Sequence, residues 1–232
     1  MEFISLASSS RGNAYIVEDK ESGERLLLEC GIPYAKLKQL LDHDFSDVVG
    51  CLVTHEHKDH ALSAPSLLRD GIDVYTSYGT AETFKNGELA KIIEEGQQFT
   101  VGGFEVLAFR TFHDAAEPLG FLIRRGDDVL MFATDTVNLN VYADGVTIYA
   151  LEANYDKYIL EENEHIIDKV KARTIRSHME VRTLLGYIKK CDLSNCRAVY
   201  LLHLSAACSH EKRFVEWVSE LCGDIPVTVC KA

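Results

Sequence analysis

A chain of 232 residues, 47% hydrophobic and 26% charged, has the length and balance of one large globular domain, and no window approaches about 18 uninterrupted apolar residues, which excludes disordered, collagenous and helical membrane-spanning classes. The formal net charge of −12 argues against a wide basic surface that wraps duplex nucleic acid, although bound dications would add local positive charge that a residue count omits. The seven cysteines are odd in number and lack C-x-x-C spacing, and the first twelve residues hold too short an apolar run for a secretion signal, so the thiols read as reduced, mostly core residues of a cytoplasmic protein.

In chain order, residues 2–6, 13–18 and 25–30 are short apolar runs divided by the polar turns 8–12 and 21–23, and they read as strands. Residues 34–42 place Leu37, Leu40 and Leu41 at helical spacing. A strand over 48–53 is followed by a helix over 62–69, a strand over 73–76 and a short helix over 80–86. Strands are expected at 104–112, 121–125, 129–134 and 146–151, then helices at 159–172 and 180–190. A strand at 198–202, a helix at 211–221 and a strand at 227–230 complete the chain. No Gly/Ser/Pro-rich linker, repeat or low-complexity tract interrupts this order, so residues 1–232 read as a single domain of the α/β (α+β) class, with sheets covered by helices.

Chemistry concentrates in the segment Thr54-His-Glu-His-Lys-Asp-His60, which follows an apolar strand and precedes a helix. It crowds four potential ligands, His55, His57, Asp59 and His60, into six residues. Imidazole nitrogens with a carboxylate suit zinc and related divalent metals. His55 and His57 stand two apart, so extended backbone points both to one side. Asp59 and His60 continue into a turn and face a second ion. Three further ligand types follow strand runs: His113 after 104–112, Asp135 after 129–134 and His203 after 198–202. One lone histidine at a strand end reads as an ordinary core or turn residue; three such endings beside the cluster read as one site.

This ordered set resembles the motifs of the metallo-β-lactamase superfamily over nearly the whole chain. The resemblance implies a four-layer αββα sandwich with two divalent metal ions, Zn2+ or Mn2+. It assigns His55, His57 and His113 to one ion and Asp59, His60 and His203 to the other, with Asp135 bridging. A narrower likeness, to the YycJ/WalJ type of exonuclease, lies in residues 5–13, 54–60, 112–118 and 152–156 and in His203-Leu-Ser205. It implies phosphodiester hydrolysis. Two departures stand out: Glu29-Cys-Gly31 replaces the usual Asp-x-Gly, and the chain is shorter than typical exonucleases of this type.

Ser177 and Glu180 match a capping box for the helix over 180–190, which would bring His178 to a helix N-terminus suited to a phosphate. Relatives that process tRNA 3′ ends carry a comparable histidine that acts on the scissile phosphate or leaving group. Glu152, Asn154 and Asp156 follow a strand and either orient ligand histidines or line the pocket, or else form an ordinary polar turn. Ser10 and Asn13 flank Gly12 in a turn whose N–H groups are candidates for a phosphate. Asp114, Lys58 and Arg11 are further candidates around the site, whereas His43, His165 and His210 read as surface residues.

The mechanism implied is two-metal hydrolysis, with water activated by the ions and positioned by Asp59 and Asp135, and with His178 assisting the leaving oxygen. The expected catalytic residues are therefore Asp59, Asp135 and His178. The substrate expected is a phosphodiester, either a nucleic-acid end or a small cyclic nucleotide of the kind that phage anti-Pycsar enzymes cleave, with no membrane partner and with a homodimer plausible by analogy. A thioesterase or lactamase is disfavoured because the motif continues His60-Ala-Leu-Ser-Ala rather than with Gly-Gly. A binding module with a degenerate site is disfavoured by the full ligand set.

Overall fold

The computed structural model describes residues Met1–Lys231, which form two compact units. The first comprises residues 1–110 and 115–127, with Lys231; the second comprises residues 111–114 and 128–230.

The first unit opens with strands β1 (Glu2–Ala7), β2 (Ala14–Glu18) and β3 (Arg25–Leu28), an antiparallel set with a bulge between Ser5 and Ala7. Helix α1 (Tyr34–Leu40) starts after Pro33, whose fixed φ suits a helix entrance, and ends where Asp42 and His43 turn left-handed. It returns the chain to β4 (Val48–Leu52), parallel to β3. Short helices α2 (Lys58–Ala61) and α3 (Ala64–Arg69) lead to β5 (Val74–Thr76). Helix α4 (Tyr78–Ala81), capped by the Ser77 hydroxyl, precedes the two-residue strand β6 (Lys91–Ile92), so the sheet runs in the order β1 to β6. Strands β7 (Gln98–Val101), β8 (Phe104–Arg110) and β9 (Leu119–Arg125) follow as an antiparallel meander. Arg125 ties this meander to the first strands through Asp19 (2.8 Å) and Glu24 (2.9 Å), with its guanidinium over the Phe104 ring.

The second unit is a parallel sheet, β10 (Asp128–Ala133), β11 (Ile148–Glu152), β12 (Ala198–Leu202) and β13 (Val227–Val229). β10 and β11 are apolar almost throughout and buried, the pattern of parallel strands covered on both faces. Helices α5 (Lys157–Glu162), α6 (Asp168–Ser177) and α7 (Val181–Ile188) connect β11 to β12, and α8 (Glu211–Cys222) connects β12 to β13.

Three expectations are corrected. The helix expected over 159–172 is two helices, α5 and α6, because Asn163 leaves helical geometry at ψ 99° and closes the first. Ser177 does not cap the next helix. It is the last residue of α6, and Glu180 is itself the N-cap of α7, its carboxylate accepting from the Arg182 and Thr183 N–H groups. The edge strands β6 and β7 were absent from the sequence reading, since two residues, or four that are mostly exposed, carry no apolar run to detect. Five of the seven cysteines are buried and two half-buried, as expected for small core residues. No helix among the described residues is long and apolar enough to cross a membrane.

Candidate metal centre

In the first unit, the motif leaves the C-terminal end of β4, and its backbone is clamped from below. Asn13 is fully buried and donates from its side-chain amide to the carbonyls of Ser9 (3.1 Å) and Asp59 (3.0 Å); its own N–H also reaches the Asp59 carbonyl (2.8 Å). Gly31 lies so close that a Cβ there would stand 1.7 Å from the Asp59 carbonyl oxygen. Cys30 N–H bonds the His60 carbonyl, and Ser63 N–H bonds the Cys30 carbonyl. The N–H groups of Gly12 and Asn13 are thus spent on Ser9 and Asp59. The turn at 8–13, expected as a phosphate cradle, is in this respect a buttress for the motif.

On that base, His55 Nε2 stands 3.1 Å from His57 Nδ1, and His60 Nε2 stands 3.5 Å from an Asp59 carboxylate oxygen. Two nitrogens on one tetrahedral zinc, each at about 2.0–2.1 Å, stand about 3.3 Å apart, so the observed pairs fit shared ions. The Thr54 hydroxyl contacts His55 Nδ1 at 2.9 Å, leaving Nε2 as the nitrogen on the His57 side. Behind His60, the carboxylate of Glu29 lies 3.6 Å from Nδ1. Burial pushes this carboxyl above its usual range, against the pull of His60. Glu in place of Asp therefore still reaches the histidine. Glu56, inside the motif, points away from this cluster and accepts from Ala116 N–H at 2.9 Å, holding the loop before β9.

In the second unit, the register builds the site. Ala133, Leu151 and Leu201 share one row across β10, β11 and β12. Glu152 is the next residue of β11, and Asp135 and His203 step off the ends of the strands on either side. Carboxyl ends of parallel strands are where open α/β sheets place ligands. Asp135 and His203 both adopt left-handed backbone, φ 46° and 54°, as does Glu29 after β3 at 64°. All three are almost fully buried. Such conformations cost about 1–3 kcal/mol each in non-glycine residues and gather at functional sites.

The two Asp135 carboxylate oxygens face different partners, one His113 Nε2 at 3.5 Å and the other His203 Nδ1 at 3.3 Å. His113 Nδ1 lies 2.6 Å from the Ser177 carbonyl, which can only accept, so a neutral ring carries its proton on Nδ1 and leaves Nε2 open to a metal. Burial lowers the pKa of His113, which favours the neutral ring that a metal needs. Asp114 sits 3.3 Å from the same Nε2 and is gripped by Arg173 at 2.7 and 3.3 Å.

His178 belongs to this cluster and is only 14% exposed at its side chain. Its ring stacks on His203 and meets His113 edge-on, and its Nδ1 is 2.7 Å from Glu152. Burial alone would lower its pKa, but Glu152 and Asp135 beside it raise it above the ordinary imidazole value. Glu152 moves the opposite way: burial raises its pKa, His178 outweighs that, and the carboxyl ends below its usual range. Each group favours the charged form of the other. The second Glu152 oxygen accepts from Thr136 N–H (2.8 Å) and Met179 N–H (3.0 Å), so one buried carboxylate fixes β11, the Asp135 turn and the His178 turn together. Ligand atoms of Asp135, Glu152, His178 and His203 all lie within 4.8 Å of one another, a donor set of nitrogens and carboxylate oxygens suited to divalent metals.

In sequence, Glu152 is one of three equivalent candidates to orient a histidine or line the pocket. Its identity as the hub needed the strand register. Asn154 contacts His203, with its amide at 2.8 Å from the backbone carbonyl and 3.1 Å from Nδ1. Asp156 instead caps α5 through Tyr158 N–H. Lys58 and Arg11 are exposed, as are His43, His165 and His210, the last capping α8.

These features are those of a metal-dependent hydrolase, and the chain belongs to the family described as the Beta-lactamase superfamily domain, whose model matches residues 24–204. It is 29% identical over 223 residues to the exodeoxyribonuclease WalJ of Streptococcus pneumoniae serotype 2, strain D39, covering 86% of this chain and 80% of that protein. It is 28% identical to the exodeoxyribonuclease YycJ of Bacillus anthracis, covering 88% and 83%. Among solved structures, it is similar to the metallo-β-lactamase fold protein YhfI of Bacillus subtilis, with a TM-score of 0.71, 15% identity, and coverage of 99% of this chain and 96% of that one. The fold is the expected mixed α/β, αββα metallo-β-lactamase fold.

Proposed function

We propose that the chain is a two-metal phosphodiesterase of the nuclease type, acting at nucleic-acid ends. The observation that carries this reading is His178: an imidazole outside the ligand motif, its Nδ1 2.7 Å from Glu152 and 3.7 Å from Asp135. A leaving alkoxide needs a proton donor, whereas the thiolate that leaves a thioester does not. Two relatives named as exodeoxyribonucleases, each aligned over most of the chain, support the same reading.

His55, His57 and His113 would hold one ion and Asp59, His60 and His203 the other. Asp135 would bridge, and its two oxygens facing His113 and His203 agree with that role. Such ions, when bound, lower the pKa of water to about 7 and stabilise charge on phosphoryl oxygens. Asp59 and Asp135 orient the attacking water. With Nδ1 on Glu152, His178 keeps Nε2–H for the leaving oxygen. Glu29 and Asn13 keep His60 in place.

Bis(p-nitrophenyl) phosphate, a single-stranded oligonucleotide, a cyclic nucleotide and nitrocefin, each with chelated protein and with added Mn2+ or Zn2+, test the reading. Metal-dependent cleavage of the phosphodiesters with little turnover of nitrocefin is expected. Rapid lactam hydrolysis without phosphodiesterase activity overturns it. Cleavage of the cyclic nucleotide but not the oligonucleotide replaces the nuclease with a small-substrate enzyme.

A further inference from the structure

Helix α6 is unusual in a chain carrying 36 acidic and 24 basic side chains. Four of its ten residues, Lys169, Lys171, Arg173 and Arg176, are cationic, and Asp168 at its start is the one acid. It is also scarcely buried: Ser177 at its end is its one buried residue, while Val170 and Ile175 stand exposed, as does Ile167 at its N-cap. Core packing therefore does not account for its composition.

The cations are not scattered. Lys169, Arg173 and Arg176 follow an i, i+4, i+7 spacing, which sets them on one exposed face, about 10 Å long from first to last. Lys171 is off that face, and its ammonium is used on the Glu161 carbonyl at 2.8 Å. The stripe points along the helix toward His178, the C-cap residue. Midway, Arg173 pairs with Asp114, the neighbour of His113, and at the end Arg176 Nε donates to the Ala172 carbonyl at 3.1 Å. The remaining ionised side chains near the helix start, Glu161, Glu162, Glu164 and Asp168, precede the stripe rather than interrupt it.

We infer that the Lys169, Arg173 and Arg176 face of α6 is the track for the sugar-phosphate backbone of a single-stranded DNA substrate, leading its end to His178. The inference rests on the phosphodiesterase reading and names its substrate class: a polymer, not a cyclic nucleotide, which has no second phosphate to place on the stripe. Neighbouring phosphates of a single strand lie farther apart than the 3.4 Å axial rise of a duplex, so a face about 10 Å long places about two of them. The local run of positive charge resolves the conflict between a net charge of −12 and a polyanionic substrate: attraction is confined to the path that ends at the site.

The test compares the double charge reversal Lys169→Glu/Arg176→Glu with Lys36→Glu/Lys212→Glu, which makes the same change in net charge at exposed positions on α1 and α8. Arg173 is left intact because it braces Asp114. Binding of a fluorescent single-stranded oligonucleotide is followed by anisotropy across a salt series, and hydrolysis of the same oligonucleotide is set against bis(p-nitrophenyl) phosphate. The stripe variant should bind at least tenfold more weakly, with the slope of log K against log salt reduced by about 1.4, two contacts at about 0.7 each. The loss should appear in KM for the oligonucleotide, while kinetics on the small diester stay at the wild-type level. The neutral pair Lys169→Gln/Arg176→Gln gives the same direction with half the charge change and serves if the reversal impairs folding. Equal affinities and slopes for the stripe and control variants overturn the inference. Absence of phosphodiesterase activity in the metal-loaded wild type would instead sink the site reading, and anisotropy would still decide whether the stripe binds DNA.

Discussion

The two units hold their candidate ligands by opposite means. In the first, four candidate ligand residues lie within six positions of one segment, and the protein controls them by clamping that segment's backbone with Asn13, Gly31 and Cys30. In the second, each functional side chain comes from a different element, and the protein controls them by converging on one carboxylate, Glu152. A contiguous motif needs a rigid floor. A dispersed set needs a hub. Damage should accordingly spread differently: a lesion under the first disturbs a loop, whereas a lesion at the hub disturbs several side chains at once.

The largest effects should come from the ligands themselves, and there the two designs should look alike. Asp59→Ala and Asp135→Ala should each lose at least one metal ion of the two by elemental analysis and reduce hydrolysis to background. Retention of both ions in either variant would remove that residue from the ligand set.

His178→Ala separates chemistry from metal holding. Metal content should stay at the wild-type level, while kcat falls by roughly ten- to ten-thousand-fold, the range for acid–base assistance. The loss should be greatest for poor leaving groups and smallest for p-nitrophenolate, which needs little protonation. An equal loss across leaving groups would mean that His178 binds the phosphate and transfers no proton; an unchanged rate on every substrate would remove it from the chemistry.

The contrast between hub and floor is sharpest in Glu152→Gln against Glu29→Gln. Outer partners of metal ligands typically change affinity by 10–100-fold. Both variants should weaken metal binding within that range. Only Glu152→Gln should also abolish the leaving-group dependence, because it takes away the carboxylate that orients His178 and favours its protonated form. Leaving-group slopes that coincide in the two variants would argue against a hub.

A smaller effect tests the floor. Asn13→Ala removes the amide that satisfies the Ser9 and Asp59 carbonyls and should cost about 1–3 kcal/mol of stability, read by chemical denaturation. The smallest concerns Asp19, far from the site. Its hydrogen bond from Ser22 leads, with Glu21 N–H and Arg125 adding to it, and these overcome burial to push its pKa down to about 2 from the usual 3.8. Its contribution to stability is complete above the unfolded value and fades as pH falls through about 2. Asp19→Asn should lower stability near neutral pH and flatten the acid limb of the stability profile; an unchanged acid limb would show that the Arg125 tie is dispensable.

How legible each half was follows from the same contrast. The cluster at 54–60 is visible in one dimension, because four ligand types in six residues form a pattern on their own. His113, Asp135 and His203 were found only as strand endings after the cluster had been seen. Glu152 could not be singled out from Asn154 and Asp156, since all three follow the same strand and only register shows which carboxylate faces inward. The capping reading around His178 failed for a related reason: Ser177 and Glu180 have the right spacing, but α6 already occupied Ser177, and helix length is set by packing that composition does not reveal. The strand run 198–202 and the C-terminal helix came out within a residue or so because each has clear apolar periodicity and a sharp boundary.

The left-handed backbone at Glu29, Asp135 and His203 has a consequence for how this protein can age or be engineered. At each position glycine would relieve a conformational penalty of about 1–3 kcal/mol while deleting the functional side chain. Selection for heat resistance alone would thus reward the loss of activity, residue by residue, at the mouths of β3, β10 and β12. A library screened only for thermal survival should enrich robust, dead proteins, and any effort to harden this scaffold must exclude those three positions from variation.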